Sequence, residues 1–315
     1  MKGITVENHA LTLVDNLRRP EPGEGEVLVR VVSTTLNPSD PDIASGLFDE
    51  FFNFGDRRVR TGFEFSGVVA RDGAGFTEGD RVYGYIDFLG GADWAHQEYL
   101  ATKADCIAPM PKGMSFDEAA SIPLAAQTVL EGLRDVAELK PGERLLIIGA
   151  GGGLGIIAVQ IGKLLQAKVT AVAGPGQAEF LSSLGAHATV NYRSTPVNTL
   201  TETFDVILDL SAQYRHADIA QLLATSGRFL PADPGKNKDD FAEGSASAAA
   251  TRYLLVAKGR RADLEQVTAW IEAGQLSAHV DSAFALADFE RALERLRTRG
   301  KRGRIVLRVA DPTTL

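Results

Sequence analysis

Five of the seven residues from Gly149 to Gly155 are glycine. Gly149, Gly152 and Gly155 set a Gly-x-x-Gly-x-x-Gly spacing, and Gly151, Gly153 and Leu154 fill it. Side-chain-free backbone at that spacing suits a polyanion. The first glycine permits a sharp turn, the second lets the chain approach a pyrophosphate, and the third lets a helix pack tightly on the strand before it. The helix that follows offers unpaired N–H groups and the positive end of its dipole to the same phosphates.

A glycine pattern has this meaning only between a strand and a helix. Arg144 to Ile148 is an apolar run of strand character, and Gly155 to Leu165 has helical composition. Further alternation follows. Strands are expected at Lys168–Ala173, Thr189–Tyr192, Phe204–Leu210 and Arg228–Leu230, with helices at Ala178–Leu184 and His216–Leu223 between them. Such alternation specifies a parallel, doubly wound α/β sheet of Rossmann type. The first third differs. Short β candidates at Glu26–Val32, Phe65–Ala70, Asp80–Tyr85 and Glu98–Ala101, separated by Gly/Asp turns, suggest a barrel or sandwich. Ser115 and Glu118 form a capping-box pair, and helix is expected from Leu124 to Leu139 after Pro123. The stretch from Asp233 to Ala250 reads as a surface loop. Helices at Asp263–Ala273 and Ala287–Arg297 and a strand at Arg304–Val309 close the chain.

The 315 residues suit two domains. A net charge of −8 argues against nucleic acid as a partner, and the basic run Lys301 to Arg304 reads as a solvated turn. The single cysteine, Cys106, excludes an intrachain disulfide and a four-cysteine zinc site. With no signal-peptide pattern and no apolar run near the ~18 residues of a membrane span, a cytoplasmic location without membrane partners is expected.

The end of the second strand separates the two nicotinamide cofactors. NAD-binding chains usually place a carboxylate there for the ribose 2′-hydroxyl. Here Gly174, Pro175, Gly176 and Gln177 stand in its place, with no carboxylate before Glu179. That favours NADPH (NADP+), although the loop has no basic residue. Tyr192 and Arg193 are the candidates to compensate. The cofactor set is therefore Gly149, Gly151, Gly152, Gly153, Leu154, Gly155, Gly174, Gln177, Tyr192, Arg193 and Ser211.

Several further motifs occur in order along the chain. They are Leu36 to Asp40, Gly62 to Val69, Gly79 to Gly84, Ala119 to Ala125, Leu184 to Ala186 with Val190 to Arg193, and Gly303 to Leu307. With the glycine loop, they make the chain resemble the zinc-independent, quinone oxidoreductase-like branch of the medium-chain dehydrogenase/reductase superfamily, nearly end to end. The resemblance implies a GroES-like β-barrel substrate domain from residues 1–122 and 256–315, and a Rossmann domain from 123–255. It also implies a cleft between them, a small electrophilic substrate and a homodimer. Zinc-dependent members hold the metal with Cys, a His-Glu pair and a third ligand. Here Asn37 to Asp40, Phe63-Glu64 and Leu124-Ala125 stand in those regions, so no metal site is expected.

The implied chemistry is hydride transfer from NADPH to a quinone or to the C=C of an α,β-unsaturated carbonyl. The alternatives are an enoyl-thioester reductase and a non-catalytic NADPH-binding or redox-sensing protein. The resemblance places Asn37 beside the reacting atoms, with Ser39 and Asp40 supporting its loop. Related enzymes often carry Gly-x-Tyr just beyond. This chain has Gly46, Leu47 and Phe48. Phe48 can shape an apolar pocket but cannot donate a proton, which leaves water, Tyr83, Tyr85, another group or no donor at all. For the two tyrosines, core packing is the plainer reading. Phe51, Phe52 and Phe54 with Arg57, Arg58 and Arg60 suggest a pocket wall or lid. Of the five histidines, His96 alone falls where it could border the cleft.

Overall fold

Two neighbouring residues with positive φ, Asn8 and His9, turn the chain back on itself near its start. Their backbone twist matches that of the flanking strands, β1 (Gly3–Glu7) and β2 (Ala10–Val14), which pair antiparallel. The computed structural model describes residues 1–47, 61–87, 94–232, 250–252 and 258–311. Phe48, the expected aromatic and arginine-rich wall to Arg60, and most of the expected loop 233–250 lie outside the described residues.

The Val- and Leu-rich run predicted from residue 26 forms β3 (Glu26–Leu36), which is eleven residues long. Short helix α1 (Ser39–Ala44) follows, then β4 (Glu64–Val69), β5 (Arg81–Tyr85), β6 (Tyr99–Lys103) and β7 (Ile107–Pro109). Strand β3 organises this part. Along one edge it pairs with β4; along the other, Glu26–Arg30 pair with β6 and Ser33–Leu36 with the chain's last strand. The turn to the second unit is the expected one. Ser115 caps α2 (Phe116–Ala120) in a full capping box with Glu118, and Pro123 sits in the first turn of α3 (Pro123–Leu130).

The helix expected to reach Leu139 does not stay α-helical. From Glu131 to Val136 it widens into a π-helical turn, with the Ala137 amide bonded to the Gly132 carbonyl. Glu131 and Asp135 are both held by Arg260, and Arg134 bonds Asp135 and Asp263. These side-chain anchors offset the weaker backbone geometry of the wide turn.

The expected alternation follows: β8 (Arg144–Ile148), α4 (Gly153–Leu164), β9 (Lys168–Ala173), α5 (Ala178–Leu184), β10 (Ala188–Asn191), β11 (Phe204–Asp209), α6 (His216–Ile219) and β12 (Leu223–Pro231). Among the described residues the five strands of this sheet are parallel, in the order β10-β9-β8-β11-β12. Alternate residues feed the two faces. Leu145, Ile147, Val169 and Val206 pack on the side of α3 and α4, while Leu146, Ile148, Ile207 and Phe229 enter a second core. Helix α6 is shorter than expected, because the chain tightens into a 3-10 turn at Ala220–Leu222 before entering β12. The chain then returns through α7 (Arg261–Glu272), β13 (Val280–Ala285), α8 (Phe289–Arg297) and β14 (Arg304–Arg308), the last antiparallel to β3. Among the described residues this completes a seven-stranded sheet with strands from both the first third and the last part of the chain. The fold is α/β, with a Rossmann-type sheet and a GroES-like unit.

Candidate functional site

Consecutive strands fill the parallel sheet outward in one direction from β8 to β10, then in the other from β11 to β12. The reversal lies between β8 and β11, where open sheets of this kind bind ligands outside the strands' carboxyl ends. Gly149 is the first residue there, with φ of +86°, and its amide and that of Ala150 bond the Val172 carbonyl. A Cβ on Gly149 would come within 3.2 Å of the Ser211 nitrogen. Ser211 ends β11 by bonding Asp209 through both its amide and its hydroxyl, at 2.9 and 2.5 Å.

The glycines divide by what surrounds them. A Cβ on Gly155 would lie 2.3 Å from the Gly149 carbonyl oxygen, so only glycine lets α4 start this close to the turn. A Cβ on Gly152 would meet just that same oxygen at 3.4 Å. On Gly151 it would strike the Gln177 amide at 2.7 Å, and on Gly153 the Arg304 side chain at 2.6 Å. Gln177 and Arg304 therefore lie directly over the loop. Tyr192 lies across Gly174, whose Cβ would be 3.5 Å from the ring hydroxyl. Between β9, β10 and α5 is a cavity of about 150 Å³, walled by residues including Gly174, Pro175, Gly176 and Asn191. Arg193 is exposed and bonds Asn191 through its amide.

Arg304 was not expected here. The basic run 301–304 is no solvated turn at its end: Arg304 begins β14 and is 5% exposed. A buried guanidinium requires compensation. Its Nη2 donates to Asn37 Oδ1 at 2.7 Å, to Thr35 Oγ1 at 2.9 Å and to the Glu64 carboxylate. Glu64 also accepts from the Thr35 hydroxyl and, at 2.7 Å, from the Leu124 amide in the first turn of α3. One carboxylate thus joins β4, β14 and the start of a helix, where negative charge is favoured. Among the described residues no three His, Cys, Asp or Glu side chains come together as metal ligands.

Asn37 ends β3. Its amide N–H is received by Asp40 Oδ2 at 2.7 Å, and Asp40 Oδ1 accepts from Gly62 at 3.0 Å. Burial pushes the Asp40 carboxyl up, opposed by His96, these two amides and Arg304. Asn37 Nδ2 makes only long contacts of 3.4 Å to Thr35, so its donors are weakly used. His96 is buried. Its Nε2 lies 3.0 Å from the Thr35 carbonyl, an acceptor, so that nitrogen carries a proton, and its Nδ1 lies 2.9 Å from the Thr61 hydroxyl. It supports the end of β3 rather than facing a cleft. Tyr83 faces away too, its hydroxyl bonded at 2.8 Å to the Leu264 carbonyl and to Thr268 in α7. Burial raises its pKa further.

Two buried polar atoms near the glycine loop have no hydrogen-bond partner among the described residues: the acceptor Gln177 Oε1, beside Gly151, and the donor Nε of Arg304, whose Cδ and Nη1 lie beside Gly153. An orphaned acceptor and a cationic donor flanking a glycine cradle fit a sugar-phosphate ligand, which offers hydroxyls to one and oxyanions to the other. The residues present fit a dinucleotide.

The chain is similar to several known proteins. An alcohol dehydrogenase GroES-like domain family matches residues 23–112, and a zinc-binding dehydrogenase family matches residues 184–307. The chain is 30% identical over 233 residues to a chloroplast envelope quinone oxidoreductase homolog from Arabidopsis thaliana, covering 69% of each chain. It is 27% identical over 310 residues to a chloroplastic NADPH-dependent alkenal/one oxidoreductase of the same plant, covering 94% of this chain and 75% of that one. The solved quinone oxidoreductase of Coxiella burnetii superposes with a TM-score of 0.85 at 26% identity, over 98% of this chain and 99% of that one. The chain belongs to the medium-chain dehydrogenase/reductase superfamily of oxidoreductases, in its quinone oxidoreductase-like branch.

Proposed function

We propose that this protein is an NADPH-dependent reductase that transfers hydride to a quinone, or to the C=C of an α,β-unsaturated carbonyl, without zinc. The observation that carries the reading is the junction at Arg304, whose side chain lies against the glycine loop on one side and bonds Asn37 on the other. We take the division of units near residues 122 and 256 as the boundary of the cleft. The relatives' own names, a quinone oxidoreductase homolog and an alkenal/one oxidoreductase, support the acceptor class.

A bound NADPH supplies the hydride. The chain's own residues do the rest. Gly149 to Gly155 and the first turn of α4 bind the pyrophosphate, with Arg304 adding positive charge and Gln177 accepting from a ribose hydroxyl. Asp40 fixes the Asn37 loop, and Asn37 offers its side-chain amide to the carbonyl oxygen on which negative charge grows. A conjugated acceptor spreads that charge over several atoms, so hydrogen bonding suffices where an alkoxide would need a metal. Glu64 has no free oxygen to offer a metal in any case, since both its oxygens accept bonds from Thr35, Leu124 and Arg304. For the proton at the α-carbon we assign water, because Tyr83 is committed to α7, Tyr85 is buried and its phenol is pushed well above its ordinary value by that burial, and Phe48 carries none.

The test is NADPH consumption over a panel of quinones, enals, enones and enoyl thioesters, in the wild type and in Asn37→Ala. The expected result is turnover with conjugated acceptors and a roughly 10²-fold lower kcat in the variant, the usual cost of losing one such donor. Tight NADPH binding with no oxidation by any acceptor would instead support a sensor.

A further inference from the structure

The loop just past β9, where the 2′-phosphate of NADPH is expected, carries no cation of its own. Residues 174 to 177, just past β9, carry no charge. The structure brings one in from the other end of the chain. Arg302, in the turn before β14, donates through Nη2 to the Gly176 carbonyl at 2.6 Å, and its guanidinium lies 5.4 Å from the Phe180 ring in α5. The turn is fixed from beneath, because the Arg302 amide bonds Asp281 at 2.9 Å. Gln177 ties it from above through the Lys301 carbonyl, at 3.2 Å.

We propose that Arg302 is the residue that selects the 2′-phosphate, closing over the loop at the end of β9 from the opposite unit. This rests on the NADPH reading above. Neighbouring cations are less suited. Lys301 bends the other way, its ammonium bonded to the Leu296 and Thr298 carbonyls at the end of α8. Arg304 is engaged with Glu64. The Arg302 guanidinium is exposed, and its bond to Gly176 uses one of five N–H donors; among the described residues no other group accepts from it. A planar guanidinium held at a carbonyl and over an aromatic ring is suited to a dianion, which it can grip with two parallel bonds. The Tyr192 hydroxyl beside Gly174 offers a second donor to the same group. Specificity would thus require the two units to be together. A chain whose loop lacks the usual cation can still prefer NADPH, provided the final turn docks.

The experiment separates this assignment from the cofactor reading. Binding of 2′,5′-ADP and 5′-ADP is measured by calorimetry on the full chain, for the wild type, Arg302→Ala, Arg302→Gln and Arg193→Ala, with thermal unfolding as the folding control. The wild type should prefer 2′,5′-ADP at least about tenfold. Arg302→Ala should lose about 10- to 100-fold for 2′,5′-ADP, the scale of a charged hydrogen bond, with 5′-ADP within about twofold. Arg302→Gln retains a donor for the Gly176 carbonyl, so its similar loss would assign the effect to charge rather than to loop structure. A preference that survives both Arg302 variants, or that disappears in Arg193→Ala instead, overturns the assignment and leaves the cofactor reading intact. Equal weakening of both nucleotides also overturns it. A wild type with no preference overturns both.

Discussion

Glu64 and Arg304 are separated by 240 positions and share one buried contact. Neither could be assigned from sequence. The Phe63-Glu64 pair marked only a missing His, and Arg304 looked like one of three bases in a polar turn. A buried ion pair is legible only when both partners' positions are known, since burial is the cost that each offsets for the other. By contrast, the roles of Gly149 and Gly155 were readable, because they follow from a local turn and a local helix packing. Asn37 and Asp40 lie between these cases: the loop was marked, but the bonds from Asn37 and Gly62 that hold it were not. The account predicts that Glu64→Gln destabilises the fold by about 3–5 kcal/mol, because it leaves the Arg304 charge buried with half its compensation removed. Urea unfolding of the variant measures this. A change under about 1 kcal/mol would mean that Arg304 escapes to solvent and that the junction is not a fixed part of the site.

At the scale of elements, the strand–helix alternation was legible because each parallel strand is a short apolar run between helices. Element lengths were not. The π-helical turn at Glu131–Val136 depends on Arg260, which lies outside the helix, so no pattern within it could announce the change. Strand β12 is likewise fastened from a distance. Arg228 makes a two-pronged contact to Glu143 at 2.9 and 2.7 Å and bonds the Ala137 carbonyl, binding β12 to the turn before β8. The Arg228 hydrogen bonds hold the Glu143 carboxyl below its ordinary value, and Arg134 does the same for Asp135. A depressed folded-state value means stability that is complete above the unfolded value, about 4.3 for glutamate, and that is lost as pH falls through the folded one. Thermal unfolding of the wild type should therefore weaken below about pH 5. Arg228→Met should be less stable at pH 7 and lose less on acidification. Parallel curves for the two proteins would show that the Glu143 contact contributes nothing.

For the whole molecule, the two ends of the chain meet in one sheet, and that closure brings the last turn onto the nucleotide-binding unit. Order of motifs along the sequence was enough to place the chain in its superfamily. It was not enough to show that residues after 300 pack over the glycine loop, because their contacts with Thr35, Asn37 and Glu64 and with Gly176 and Gln177 exist only once the sheet has closed. The central claim is that this assembled junction moves hydride from NADPH to a conjugated acceptor without a metal. Its most direct test uses metal-depleted protein, NADPH deuterated at the hydride-donating carbon and a simple enone, with the product examined by NMR. The account predicts a saturated ketone carrying deuterium on the carbon β to the carbonyl, formed at the same rate before and after metal removal. Deuterium on the carbonyl carbon of an allylic alcohol, or activity that returns only when zinc is restored, would contradict it.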